Sequence, residues 1–151
     1  MSEGIVGGCR CGAVRYRLDV AAQPPIYCCH CHYCQTWSGS AFSEQAVVAE
    51  AQIVVTVGEP VMFERVNDSG AISTQYVCGN CHTRLWNTNS GRAGTAVVRA
   101  GTLDASDTLV PRAHIWTRRK QPWLAIADGM PSWLENAPVA EFVAALMKAP
   151  E

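Results

Sequence analysis

The sequence predicts a mainly β chain, all-β or a β-dominated sandwich, with one helix near its C-terminus. Three observations lead there. Most of the chain reads as short β-branched or aromatic runs separated by turn residues. One stretch with helical apolar spacing lies close to the end. No linker, repeat or low-complexity run divides the 151 residues, so residues 1–151 are expected to form a single domain.

Taken in order, residues 13–20 (AVRYRLDV) alternate. Val14, Tyr16, Leu18 and Val20 face one way and Arg15, Arg17 and Asp19 the other, as in a strand with one buried face. Residues 52–57 (QIVVTV), 61–66 (VMFERV) and 71–77 (AISTQYV) form three further runs. The turn residues Gly58-Glu59-Pro60 and Asn67-Asp68-Ser69-Gly70 separate them. Residues 95–101 (TAVVRAG) and 112–116 (RAHIW) supply two more strands, and Gly91 and Gly94 break the chain ahead of the first. The helix is APVAEFVAALMKA, with Pro138 as its first residue and Val139, Phe142, Val143 and Leu146 on one face.

A composition 48% hydrophobic and 17% charged describes a globular chain rather than a disordered one. The formal net charge of −1 argues against a general binder of nucleic acid or anionic membrane, which would need a basic excess. The one basic cluster, Arg118-Arg119-Lys120, reads as a solvated turn. No apolar run approaches the roughly 18 residues of a membrane span. The N-terminus lacks the basic start and apolar core of a secretory signal. The expected location is cytoplasmic, with neither membrane nor nucleic acid as partner.

In a reducing compartment eight cysteines read as metal ligands rather than disulfides. They fall into three groups: Cys9-x-Cys11; Cys28 followed by Cys29-x-Cys31-x-x-Cys34; and Cys78-Gly79-Asn80-Cys81. In extended chain, residues two apart share a side, so a C-x-C pair can grip one ion. A C-x-x-C turn wraps two sulfurs around one metal, and Gly79-Asn80 offers the φ > 0 tolerance for that turn. Gly7, Gly8 and Gly12 are expected to let the backbone approach the ion.

Tetrahedral zinc takes four ligands. One C-x-C and one C-x-x-C pair make one closed structural site of Cys9, Cys11, Cys78 and Cys81, tying the chain's start to its middle. Cys29, Cys31 and Cys34 then remain, and three protein ligands with a vacant fourth position are the pattern of catalytic zinc. Alternatively Cys28, His30 or His32 completes a second closed site. Strand parity favours the open site, because it puts Cys29 and Cys31 on one side and Cys28, His30 and His32 on the other. Zn²⁺ with three thiolates carries a net charge of −1 and is a poor activator of water. It suits binding an incoming thiolate beside a carbonyl carbon.

Other candidates have ordinary explanations beside the functional ones. His30 and His32 could donate to sulfur or move a proton, or be solvent-facing spacers. His114 reads as a satisfied strand histidine. Trp116, Trp123 and Trp133 read as packing, although Trp123 could wall a pocket. Asp104 reads as a turn residue, and Gln35, Ser38 and Ser40 could contact a substrate carboxylate. No Ser-His-Asp arrangement or phosphate-binding glycine loop stands out.

The stretches GGCRCGAVRY (7–16), CHCHYCQ (29–35) with SGSAF (38–42), VCGNCHTRLW (77–86), RAGTLD (99–104) and HIWTRRKQPW (114–123) occur in that order. Together they resemble the glutathione-dependent formaldehyde-activating enzyme family, also described with centromere protein V, over nearly the whole chain. The resemblance implies a β-tent of short antiparallel strands organised around zinc. It implies two zinc ions per chain: a structural one at Cys9, Cys11, Cys78 and Cys81, and a catalytic one at Cys29, Cys31 and Cys34; an open three-thiolate site is itself expected to bind its ion less tightly. The implied activity is carbon–sulfur lyase type, the reversible joining of a small thiol, glutathione, to formaldehyde or another aldehyde. The alternative is a non-catalytic zinc-binding β-tent module that acts through protein contacts. Two positions depart from the family pattern: His82 stands where glycine usually follows the C-x-x-C turn, and Cys28 is extra. His82 is expected to be a surface residue, with a hydrogen bond to sulfur or a ligand role as alternatives, and Cys28 a buried thiol.

Overall fold

The computed structural model describes residues 3–148. Among them are ten strands: β1 (Ile5–Gly8), β2 (Arg15–Leu18), β3 (Ile26–Cys29), β4 (Ser43–Ala49), β5 (Ile53–Val57), β6 (Val61–Val66), β7 (Ile72–Val77), β8 (Arg84–Asn89), β9 (Thr95–Arg99) and β10 (Ala113–Ile115). A short helix, α1 (His32–Ser38), follows β3, and α2 (Val139–Met147) lies near the C-terminus. The protein is mainly β, as its residue pattern implies. The chain forms two compact units. One contains the residues up to Pro24 and then Ala46–Asp107; the other contains Pro25–Gln45 and the residues from Thr108 onward. β4 is the strand in which the chain passes from the second to the first.

In the first unit, β1, β2 and β5 make an antiparallel sheet in that order. The alternation in residues 13–20 is realised, with Val14, Tyr16 and Leu18 buried while Arg15 and Arg17 stay half-exposed. β9, β8, β7 and β6 form an antiparallel meander. Its apolar content converges on Trp86, whose ring stacks on Tyr76 at 5.1 Å and meets the edge of Tyr16 at 5.6 Å. β6 has the bounds expected from VMFERV. It lies at the end of the meander, which leaves Val61, Met62, Phe63 and Val66 exposed.

β1 was not evident in the periodicity because half of it is glycine. A Cβ on Gly7 would lie 2.5 Å from the Thr102 carbonyl oxygen and 2.6 Å from the Tyr16 hydroxyl. The missing side chain therefore lets β1 pack against the protein's own backbone. This corrects the expectation that Gly7 gives an ion room.

In the second unit β3 pairs with β10 in parallel, with Cys28 opposite His114 and Cys29 opposite Ile115. All four β3 residues are buried. Tyr27 meets the edge of Phe142 on α2 at 5.0 Å, and Trp133 packs on the same ring. On α2 the buried stripe is narrower than its apolar spacing suggests. Leu146 is buried and Phe142 half-buried, while Val139 and Val143 are exposed at its margins. Pro138 caps the helix rather than starting it. No helix among the described residues is long and apolar enough to cross a membrane.

Candidate metal centres

The first cluster lies in the first unit and joins two knuckles. In the N-terminal one, Cys9 N–H donates to the Val14 carbonyl at 3.0 Å, and the chain turns back through Gly12, whose φ is +80°. In the second, Cys78 N–H donates to the Thr83 carbonyl at 3.0 Å, and the chain turns back through His82, at φ +64°. The left-handed residue thus follows the second cysteine in both knuckles. It is not within Gly79-Asn80, as the sequence reading had it. Left-handed backbone favours glycine, which explains why glycine is usual at this position and makes His82 a strained substitute for it. The imidazole of His82 is exposed and outside the sulfur cluster.

The four sulfurs of Cys9, Cys11, Cys78 and Cys81 all lie within 4.8 Å of one another. Cys9 Sγ is 3.6 Å from Cys11 Sγ, and Cys11 Sγ is 3.8 Å from Cys78 Sγ. A tetrahedron with metal–sulfur bonds of about 2.3 Å has edges of about 3.8 Å, so these sulfurs fit zinc. Each also meets a donor suited to a thiolate. Val14 N–H donates to Cys9 at 3.3 Å, Asn80 Nδ2 to Cys11 at 3.3 Å, Asn80 N–H to Cys78 at 3.4 Å, and the Thr83 hydroxyl to Cys81 at 3.1 Å. The Thr83 hydroxyl is the main cause holding the Cys81 thiol down to about 5.

The second cluster lies in the second unit, where strand gives way to helix. Cys29 ends β3. Cys31 is extended, with φ −64° and ψ 157°, and caps α1, its sulfur accepting the Cys34 N–H at 3.4 Å. Cys34 sits in the first turn. The three sulfurs lie within 4.8 Å of one another, Cys29 buried and the other two half-buried. The group stops at three: among the described residues no fourth His, Cys, Asp or Glu atom joins it. The thiols of Cys29 and Cys34 pull Cys31 down, while hydrogen bonding to Cys31 and then Cys34 pushes Cys29 up. Both directions describe sulfurs crowded closely enough that one carries the negative charge while its neighbour holds a proton.

The three residues that could have closed the site go elsewhere. Cys28 is buried away from the group, and burial pushes its thiol up to about 12. His32 is exposed on α1. His30 is not a solvent-facing spacer, because it is fully buried. Its Nε2 lies 2.8 Å from His114 Nδ1 with the rings stacked, and its Nδ1 has no partner among the described residues. Burial holds both imidazoles below their ordinary values, His30 at about 4. An Nε2–H on His30 donating to His114 leaves Nδ1 as a bare acceptor rather than a stranded donor.

Gln35 is committed to holding α1. Its Nε2 donates to the carbonyls of His30 at 2.7 Å and Arg119 at 2.8 Å, and its Oε1 accepts from Gln121. The Ser38 hydroxyl donates to the Phe42 carbonyl at 3.1 Å. Trp123 is 71% exposed, and its indole N–H donates to Gln121. Asp104 forms a bidentate ion pair with Arg15 as well as occupying a turn. None of the eight cysteines is in a disulfide. One residue at the second cluster escaped the sequence reading: Gln45, whose Nε2 donates to Cys34 Sγ at 3.4 Å. Its strand, β4, had not been recognised, so no spacing pointed to it.

A family model described as glutathione-dependent formaldehyde-activating enzyme matches residues 4–119 of this chain. A curated relative from Halomonas elongata carries that name provisionally. It is 25% identical over 124 residues, spanning 80% of this chain and 79% of its own. A solved structure of a Rhodobacter sphaeroides protein is similar in fold, with a TM-score of 0.55 and 16% identity, covering 71% of this chain and 98% of that one.

Proposed function

The chain belongs to the glutathione-dependent formaldehyde-activating enzyme family, and on that premise we propose that it is a zinc-dependent enzyme of the carbon–sulfur lyase type. It adds a small thiol such as glutathione reversibly to formaldehyde or another aldehyde. In this reading Cys9, Cys11, Cys78 and Cys81 hold a structural zinc, and Cys29, Cys31 and Cys34 hold a catalytic one. The observation that carries it is the count at the second cluster, where three sulfurs converge and no fourth ligand follows among the described residues. The non-catalytic alternative, with every zinc structural, needs that fourth ligand.

Zinc bound there would supply an open Lewis-acidic position at which a thiol is deprotonated near neutral pH. The chain's own residues set the conditions. The three thiolates lower the ion's net charge to −1, which favours a loosely held sulfur over an activated water. Half-buried Cys31 and Cys34 leave the cluster open to a small molecule. Gln35 ties α1 to the His30 and Arg119 carbonyls and fixes the positions of Cys31 and Cys34. The buried His30–His114 pair stays neutral and adds no charge beside the sulfurs. In the reaction an S–C bond replaces S–H, and the proton ends on the former carbonyl oxygen. No oxidant or reductant is needed. Cysteines grouped as metal ligands suit a reducing compartment, which supports a cytoplasmic location.

The test is glutathione consumption with formaldehyde above the uncatalysed rate, for wild type and Cys31→Ser. Losing a hydrogen-bond partner of a metal ligand typically costs about 10- to 100-fold, and losing the ligand should cost at least as much. Equal rates in the two proteins would reject the reading.

A further inference from the structure

We propose that Gln45 is a positioning residue for Cys34, holding its sulfur in place and keeping it unreactive while a substrate thiol meets the aldehyde. The proposal rests on the catalytic reading of Cys29, Cys31 and Cys34.

Gln45 is 7% exposed, and its side-chain Nε2 donates to Cys34 Sγ at 3.4 Å. A buried amide N–H without a good acceptor is destabilising, and a neutral thiol is a weak acceptor. A thiolate is a strong one. The pairing is therefore suited to a Cys34 that is ionised and bound to metal. The cluster's donors also differ in kind. Cys31 receives the Cys34 backbone N–H, which the cap of α1 fixes in place. Cys34 receives a side chain carried by β4, an element separate from the helix that carries the sulfur.

An aldehyde carbon does not distinguish one thiolate from another. Were Cys34 to attack formaldehyde, its sulfur would gain an S–C bond as the C=O π bond breaks, the resulting alkoxide would take a proton from water, and the ligand would be lost. An N–H···S bond draws charge from the sulfur lone pair and lowers its nucleophilicity. Gln45 thus places on Cys34 a restraint that an incoming substrate thiol lacks.

Gln45→Met keeps the volume and removes the donor; Gln45→Glu keeps the shape and replaces the donor with acceptors. Wild type and both variants are loaded with zinc, checked for folding by circular dichroism melts, and challenged with a chromogenic chelator. Zinc release from the Cys29 cluster should need about 10- to 100-fold less chelator in Gln45→Met, with the Cys9 cluster unchanged as an internal control. Labelling of Cys34 by iodoacetamide, located by peptide mass spectrometry, should be several-fold faster in the variant. Unchanged release together with unchanged Cys34 labelling would overturn the proposal. If Gln45→Met does not fold, the same two readouts on Gln45→Glu decide. Neither depends on turnover, so an inactive wild type would count against the enzymatic reading and leave the Gln45 result standing on its own.

Discussion

Replacing Cys78 by serine tests how the two clusters divide their work. Cys78 and Cys11 stand 67 residues apart in the chain, with their sulfurs at 3.8 Å. A metal held by both acts as a cross-link that closes this loop. Loop-closure entropy for that length corresponds to about 4 kcal/mol of folding stability at 25 °C. The Cys29 group closes a loop of only six residues, for which the same relation gives about 2 kcal/mol. A chain of this size loses about 2–4 °C in melting temperature per kcal/mol. Cys78→Ser should therefore lower the melting temperature by about 8–16 °C or more, and Cys31→Ser by about half as much. The assay is scanning calorimetry of both variants, with zinc content measured on the same samples. Cys78→Ser should lose one ion and most of its stability, and Cys31→Ser one ion and most of its activity. Equal melting shifts for the two would refute the assignment of the anchoring role to the Cys9 group. So would an unshifted Cys78→Ser that still holds two ions.

Two smaller perturbations follow from the same unit. His82→Gly relieves a left-handed backbone position and should gain up to about 1 kcal/mol, or about 2–4 °C in a thermal melt, with zinc content unchanged; a loss of zinc would show His82 to be a ligand. Hydrogen bonding to Arg15 holds Asp104 below its ordinary carboxylate value, so its contribution is present above about pH 4 and lost as pH falls through the lowered folded value. The pair is substantially exposed, so Asp104→Asn should cost no more than about 1 kcal/mol at neutral pH, with the gap to wild type closing below about pH 4 in urea melts; a gap that persists at low pH would refute this.

The sequence could show which sulfurs group together because C-x-C and C-x-x-C constrain geometry over a few residues. It could not show what depends on distant partners. Gly7 is set by Thr102 and Tyr16, and Cys34's donor, Gln45, lies eleven residues further on in another element. β8 was hidden by Asn87, Thr88 and Asn89, although Leu85 and Trp86 are buried within it. His30 shows the limit of parity. It does point away from Cys29 and Cys31, but that side is interior, because β10 supplies His114 and Phe42 packs on the ring.

The second cluster depends on a change of backbone regime that its spacing encodes without announcing. Alternation holds from Cys29 through Cys31, since Cys31 is still extended and the two sulfurs share a side. From His32 the chain is helical, and one turn brings Cys34 back toward them. The sequence HYCQTWS shows no apolar period, and its cap is a cysteine rather than Ser, Thr, Asp or Asn, so α1 carries none of the usual signals of a helix start. Cys31 serves both demands with one atom. Its sulfur accepts the N–H of Cys34 as a cap and faces Cys29 and Cys34 as a metal ligand would. The strand end, the helix start and the three-sulfur group are therefore set by one local geometry, and a fourth ligand from the same segment would have to break it.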